Sequence, residues 1–181
     1  MEFPTLETDR LALVRMTNHY LHSYYDIMSR DEVTKYYSME SLKSVEDAEN
    51  IISSMKTTFE SGRGIRWGIV LNDKDKFVGT IGLNHLNTYS KKAEVGFEIH
   101  PEFWNEGITS EAVSEVLRYS FEELGLFRMG AVTYPQNKTS IHVLKKFGFS
   151  KEGVLRGYIY QNQQSHDACV FSLLRSEWSS K

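Results

Sequence analysis

The chain is short of several things, and each shortage excludes a class of protein. One cysteine, Cys169, in 181 residues rules out an internal disulfide and any thiolate metal cluster, and suits a reducing setting. Three prolines, with no Pro-rich, repeated or low-complexity stretch, leave no sign of a linker or a second domain. There is no basic excess: 21 Lys and Arg stand against 24 Asp and Glu, a net charge of −3. That balance is wrong for a broad electrostatic grip on nucleic acid. No apolar run approaches the roughly 18 residues that a membrane span needs. The opening MEFPTLETDRLALVRM has no basic region followed by an apolar core, so it does not read as a secretion signal. The six histidines show no metal-ligand spacing; His19 and His22 lie three apart without a third ligand nearby. The expectation is one cytoplasmic domain over 1–181, with no metal, no direct nucleic-acid contact and no membrane contact.

What is present is an ordinary globular composition, 40% hydrophobic and 25% charged, which argues against wholesale disorder. Periodicity predicts a strand at 10–14, helices at 18–28 and 44–61, and strands at 66–71, 77–86 and 93–99. A helix capped by Thr109 or Ser110 then runs to Gly125. A strand at 127–132, a helix at 138–147 and strands at 149–160 and 166–174 complete the chain. In the second helix Ser44 can cap and Asp47 can reach back to it, while Ala48, Ile51, Ile52, Met55 and Phe59 recur at helical spacing. The run Asn72-Asp73-Lys74-Asp75-Lys76 reads as a hairpin tip. Seven strands in this order with the helices predict an α/β (α+β) fold: a central mixed, mostly antiparallel seven-stranded sheet flanked by helices on both faces.

Two segments carry chemical signals. In His100-Pro-Glu-Phe-Trp-Asn-Glu-Gly-Ile-Thr-Ser-Glu-Ala112, a strand runs through a short loop into an amphipathic helix. The first amides of a helix have no internal partners and sit at the positive end of its dipole, and Gly107 lets a ligand approach backbone. Alone, one glycine before a helix is an ordinary turn. In Asn137-Lys-Thr-Ser140…Gly148-Phe149, an Asn and a Ser open a helix that Gly-Phe closes, which capping alone also explains.

Together the two segments resemble the acetyl-CoA loop (Gln/Arg-x-x-Gly-x-Gly/Ala) and the Asn-x-x-Ser…Gly-Phe segment of the GNAT acetyltransferase superfamily. The start Thr8-Asp-Arg-Leu-Ala-Leu-Val-Arg15 and the tail Glu152-Gly153…Asp167…Ser176-Glu-Trp178 resemble its bacterial-type RimJ/RimL branch, which acetylates N-terminal amines of ribosomal proteins. The likeness spans a core of about 8–178. It implies a GNAT fold splayed between its fourth and fifth strands, with acetyl-CoA as co-substrate lying in the gap, and paired subunits are common in the family. By this resemblance Ile99, Trp104, Asn105, Glu106, Gly107, Ile108, Thr109, Ser110 and Asn137 bind the cofactor. Trp104 takes the Gln/Arg place, Thr109 the final Gly/Ala place, and Asn105-Glu106 replaces what is often Gly-Lys. Many members place a Tyr seven residues after the motif Asn to protonate the departing thiolate. Here that position is Leu144, so Ser140 stands as the candidate.

Acetyl transfer needs the amine deprotonated, the thioester carbonyl polarised and the thiolate accommodated. A backbone N–H near Ile99 is the expected oxyanion donor. For the base, Glu94 and Glu98 lie four apart on one strand and share a face, where two carboxylates can raise each other's pKa. A water chain without a single base is the alternative. Cys169 sits in an apolar alternating strand with no basic neighbour, which reads as an inert buried thiol. Tyr36-Tyr37-Ser-Met39 borders the acceptor site in the family. The acceptor expected is a protein N-terminal α-amine of the ribosomal-protein-alanine type. A small amine such as spermidine is the alternative, and a catalytically weak CoA-binding protein is the alternative from another class.

Overall fold

The structure, a computed structural model, describes residues 2–179. One sheet runs in the order β1-β2-β3-β4-β5-β6-β8-β7. Its strands are β1 (Leu6–Glu7), β2 (Leu11–Arg15), β3 (Ile65–Leu71), β4 (Lys76–Asn87), β5 (Lys92–Ile99), β6 (Arg128–Thr133), β7 (Ser150–Gln161) and β8 (Gln164–Leu174). Seven of these are the strands that periodicity predicts. The eighth, β1, pairs Leu6 with Leu13 and Glu7 with Ala12; at two residues it is too short for an alternating pattern to show, so the sheet has eight strands and not seven.

The helices form where the termini are satisfied. In α3 (Val45–Glu60) the Asp47 N–H donates to Ser44 Oγ at 3.1 Å and the Ser44 N–H to Asp47 Oδ2 at 2.9 Å, a reciprocal capping box. A 3-10 turn (Asn18–Tyr20) leads into α1 (Leu21–Met28), and the single turn α2 (Asp31–Thr34) is too short for periodicity to reveal. The helix α4 (Ile108–Arg118) loosens into a π-turn (Tyr119–Glu123) before Gly125, so its α-helical part ends earlier than its sequence predicts. Asn137 caps α5 (Lys138–Lys146), and Gly148 at φ 85° turns the chain out of it.

Both sheet faces are covered. Trp67, Ile69 and Leu71 of β3 pack with Leu11 and Leu13 of β2 and with Val113 and Leu117 of α4. Val70, turned the other way, meets Ile27 and Met28 of α1 and Ile52 of α3. Each such side chain stabilises the fold by about 1.5–3 kcal/mol, so the sheet is held rigidly from both sides.

All neighbouring strands are antiparallel except β5 and β6, which are parallel and joined by a crossover through α4. Their ladder stops early: Lys92↔Arg128, Ala93↔Met129 and Glu94↔Gly130 pair, and no pair follows. On its other edge β5 stays bonded to β4 as far as Ile99↔Gly79. From Val95 to Ile99 one edge of a central strand is therefore open, and the sheet splays there.

Candidate active site

The open edge forms one wall of a cleft of about 440 Å³. Phe97, Glu98 and Ile99 of β5 line it, with Trp104, Asn105 and Thr109 from the loop and first turn of α4. Asn137 at the cap of α5 and Thr139, Ser140 and Val143 within it close the cleft, with Glu32 and Val33 of α2 and Lys35, Tyr36 and Tyr37 after it. Of the sequence-predicted residues, Glu98, Ile99, Trp104, Asn105, Thr109, Asn137 and Ser140 meet in this cleft. Glu106, Gly107, Ile108 and Ser110 continue from it along the loop and the first turn of α4.

The loop reaches α4 through two left-handed residues, Asn105 at φ 64° and Gly107 at φ 78°. Asparagine tolerates that region and glycine adopts it freely. Gly107 is itself the helix N-cap, and no side chain caps α4. Thr109 and Ser110, predicted as caps, sit inside the first turn instead. Among the described residues the amides of 105–110 have no hydrogen-bond partner. These N–H groups lie at the positive end of a helix dipole, an arrangement suited to phosphate oxygens. The Glu106 side chain is exposed, and its carbonyl accepts from Arg10 Nη1 at 3.0 Å.

Strand alternation orients the backbone beside the loop. The His100 N–H donates to Val78 O of β4 at 2.8 Å, so the N–H and C=O of Ile99 face the open edge. Trp104 Nε1 takes the Ile99 carbonyl at 2.8 Å. The indole therefore ties the loop to the strand end and leaves the Ile99 N–H to the cleft.

The two candidate carboxylates part company. Glu98 is 4% exposed and lines the cleft. Thr80 Oγ1 donates to its Oε1, and Arg66 Nη1 stands 3.4 Å from its Oε2. The same guanidinium donates to Gly96 O at 3.1 Å and to Asn84 Oδ1 at 3.1 Å. Gly96 makes room for this, since a Cβ there would stand 3.0 Å from Asn84 Nδ2. Burial disfavours the Arg66 charge, but Tyr37 and Glu98 beside it hold its pKa above the ordinary value. Burial and the Glu98 charge push the Tyr37 hydroxyl up to about 12, so it is a donor at neutral pH. Glu94 lies where β5 and β6 still pair, opposite Gly130, and shares a 3.1 Å hydrogen bond with His85 Nδ1. It is outside the cleft. The expected mutual effect of two carboxylates gives way to a separate partner for each.

On α5, Asn137 Oδ1 accepts the Ser140 N–H at 3.2 Å, and no side-chain partner occupies the Ser140 hydroxyl among the described residues. Leu144 is 2% exposed and packs in the core, so nothing at that position can donate a proton. Cys169 is buried in β8. Among the described residues no three His, Cys, Asp or Glu side chains are grouped to hold a metal ion. Sequence reasoning missed Arg66; a lone cation inside the apolar run Ile65–Leu71 was the available signal. It also missed Arg10, whose Nε donates to Glu111 Oε2 at 2.6 Å, although Arg10 lies within a motif already singled out.

A sheet opened beside an uncapped helix N-terminus can hold an extended, phosphate-bearing carrier. The family model for the acetyltransferase (GNAT) domain matches residues 10–150, and the chain belongs to this family of acetyl-CoA-dependent N-acetyltransferases. It is 44% identical over 173 residues to the uncharacterized N-acetyltransferase YoaA of Bacillus subtilis (strain 168), covering 96% of this chain and 98% of that protein. The [ribosomal protein uS5]-alanine N-acetyltransferase of Escherichia coli (strain K12) is 25% identical over 121 residues, 66% of this chain and 62% of that protein. The spermidine N-acetyltransferase of Vibrio cholerae, solved in complex with CoA and spermine, shares the fold at a TM-score of 0.82. It has 20% identity, over 94% of this chain and 98% of that one. No helix among the described residues is long and apolar enough to cross a membrane.

Proposed function

We propose that acetyl-CoA lies in the cleft between β5 and β6, its pyrophosphate on the amides of residues 105–110, and that its acetyl group passes directly to the α-amine at a protein N-terminus. The observation that carries this reading is the loss of β5–β6 pairing after Glu94↔Gly130, next to an uncapped α4. An open strand edge can pair with the amides of a pantetheine arm as it would with another strand. The loop's open amides and the bare Gly107 fit the phosphates that follow.

In the transfer, the carbon–sulfur bond of the thioester breaks as a carbon–nitrogen bond forms. The ammonium gives up a proton first, and the departing thiolate gains one. The Ile99 N–H is oriented toward the carbonyl oxygen before reaction and needs no reorganisation. Glu98, the candidate carboxylate on the cleft wall, receives the amine proton. The Ser140 hydroxyl steadies the leaving sulfur, and no phenol stands at residue 144 to share that task. Reliance on acetyl-CoA and a single cysteine supports a cytoplasmic setting.

The acceptor side favours an α-amine over a polyamine. A second pocket of about 270 Å³ shares Tyr37 with the cleft. Met39, Ile51, Met55, Ile65 and Leu83 line it, with Tyr24, Asn84 and Arg66, and none of its lining residues is acidic. The cleft itself is lined by two carboxylates, and each has an arginine beside it: Glu98 with Arg66 at 3.4 Å and Glu32 with Arg30 at 3.9 Å. A polyamine brings further ammonium groups that need anions, whereas a chain N-terminus brings one amine on a largely neutral body.

A thiol-release assay with acetyl-CoA tests this. A peptide with a free N-terminal alanine should exceed spermidine in kcat/KM by about tenfold, roughly the cost of one unbalanced charge. Preference for spermidine would select the small-amine reading. Acetyl-CoA binding without turnover on any amine would select a CoA-binding protein with weak catalysis.

A further inference from the structure

The phosphate loop carries no cation of its own. Residues 105–110 read Asn-Glu-Gly-Ile-Thr-Ser, and their one charge is negative. Backbone amides offer only partial charges, while the phosphates of a CoA molecule bring several full negative ones. A balancing cation has to come from outside the loop.

Among the described residues two cations reach it from distant elements, and they differ in what already holds them. Arg10 comes from the turn before β2. Its Nε donates to Glu111 Oε2 at 2.6 Å and its Nη1 to Glu106 O at 3.0 Å. Glu111 also accepts the Arg10 N–H at 3.0 Å and the Thr8 hydroxyl at 2.6 Å. The Arg10 charge is thereby committed to a carboxylate; it braces the loop and turns the Glu106 carbonyl away from the amides. Lys146, the last residue of α5, is different. Its Nζ donates to Ser110 Oγ at 3.1 Å, in the first turn of α4. Lys56 and Lys76 have carboxylate partners within 4.0 Å, and among the described residues Lys146 has none. An exposed ammonium is thus held at the edge of the open amides with no carboxylate beside it, its other neighbour being the Phe147 ring at 5.9 Å. A lysine is a compact point charge on a flexible stem, suited to follow a phosphate of varying position.

We propose that Lys146 is a phosphate-binding residue of this enzyme, supplying from α5 the positive charge that the loop lacks. The proposal rests on the reading that CoA phosphates lie along residues 105–110, and it names a ligand outside that loop. The same chemistry serves the pyrophosphate or the 3′-phosphate, so the test separates them.

Calorimetric titration of the full chain with CoA and with dephospho-CoA, at low and high salt, decides it. Lys146→Gln should weaken CoA binding about tenfold at low salt, as loss of one charge-assisted hydrogen bond would. The deficit should shrink as salt rises, and Lys146→Arg should restore most of the affinity. Lys145→Gln, which removes a neighbouring charge, should change little. An equal deficit for both ligands assigns the pyrophosphate, and a deficit confined to CoA assigns the 3′-phosphate. Undiminished CoA affinity in Lys146→Gln overturns the proposal. So does a loss that salt does not alter and arginine does not rescue, because that marks a structural role. If the wild-type chain binds no CoA at all, the cleft reading itself falls, and this proposal with it.

Discussion

The two halves of the proposed site are built by opposite rules: a phosphate wall along the cleft, and an acceptor wall that extends from Glu98 into the neighbouring pocket. The phosphate wall is contiguous: Ile99, Trp104, Gly107 and the first turn of α4 follow one another in the chain, and strand alternation, a left-handed glycine and a helix N-terminus orient them locally. The acceptor wall is assembled across the sheet. Arg66 meets Asn84 and Glu98 at sequence separations of 18 and 32, from three different strands. A local wall owes its geometry to backbone conformation, so it fails through strain. A dispersed wall owes it to charge balance in a buried place, so it fails when one partner is lost. Substitutions on the two sides should therefore break different quantities.

The largest effect is expected on the dispersed wall. Arg66→Met leaves Glu98 buried without its counter-charge, and breaking a buried pair in this way costs about 3–5 kcal/mol. In a chain of this length that lowers Tm by on the order of 10 °C. Adding Glu98→Gln should recover most of the loss, because an amide there can still accept from Thr80. A melting curve for Arg66→Met within about 2 °C of wild type would erase the distinction between the walls.

Next comes Gly107→Val on the local wall. A β-branched residue at φ 78° is strained, and its side chain would stand in the path of the phosphates. The expected loss is about 2 kcal/mol or more of acetyl-CoA affinity. Calorimetry that finds wild-type affinity would move the phosphate site elsewhere.

Ser140 tests the junction of the walls. Ser140→Ala should cut turnover roughly tenfold to a hundredfold, since one hydroxyl steadies a leaving group that is already acidic. Asn137→Ala removes the α5 cap and should instead cost about 1 kcal/mol of stability. Full turnover in Ser140→Ala would reduce that serine to a helix residue.

The smallest effect sharpens the local side. A carboxylate within about 6 Å of a pyrophosphate repels it by roughly 0.5–1 kcal/mol per charge pair in water-like surroundings. Glu106→Lys should tighten acetyl-CoA binding severalfold at low salt, with the gain fading as salt is raised. The contact is the same in ground and transition states, so the Michaelis constant moves and kcat does not. Titrations at two salt concentrations would show no difference if the loop holds no phosphate.

What the amino-acid order determined by itself is what depends on neighbours in the chain. The Ser44–Asp47 capping box, the stop at Gly148 and seven of the eight strands follow from local spacing and side-chain chemistry, and so does the short loop through Gly107 into α4. Short pieces escaped because two residues in β1 and four in α2 cannot display a period. The cap of α4 went to Gly107 and not to Thr109 or Ser110, since the loop enters the helix through left-handed backbone that only the folded chain fixes. Tertiary structure alone separated Glu98 from Glu94. Both lie on one strand, but the ladder to β6 ends between them, leaving one in the cleft beside Arg66 and the other at a closed edge beside His85. It alone also brought Arg10 and Lys146 to a loop that carries no cation. Charge pairing acts through space over a few ångströms, and sequence spacing carries no record of which distant residues the sheet will place at that distance.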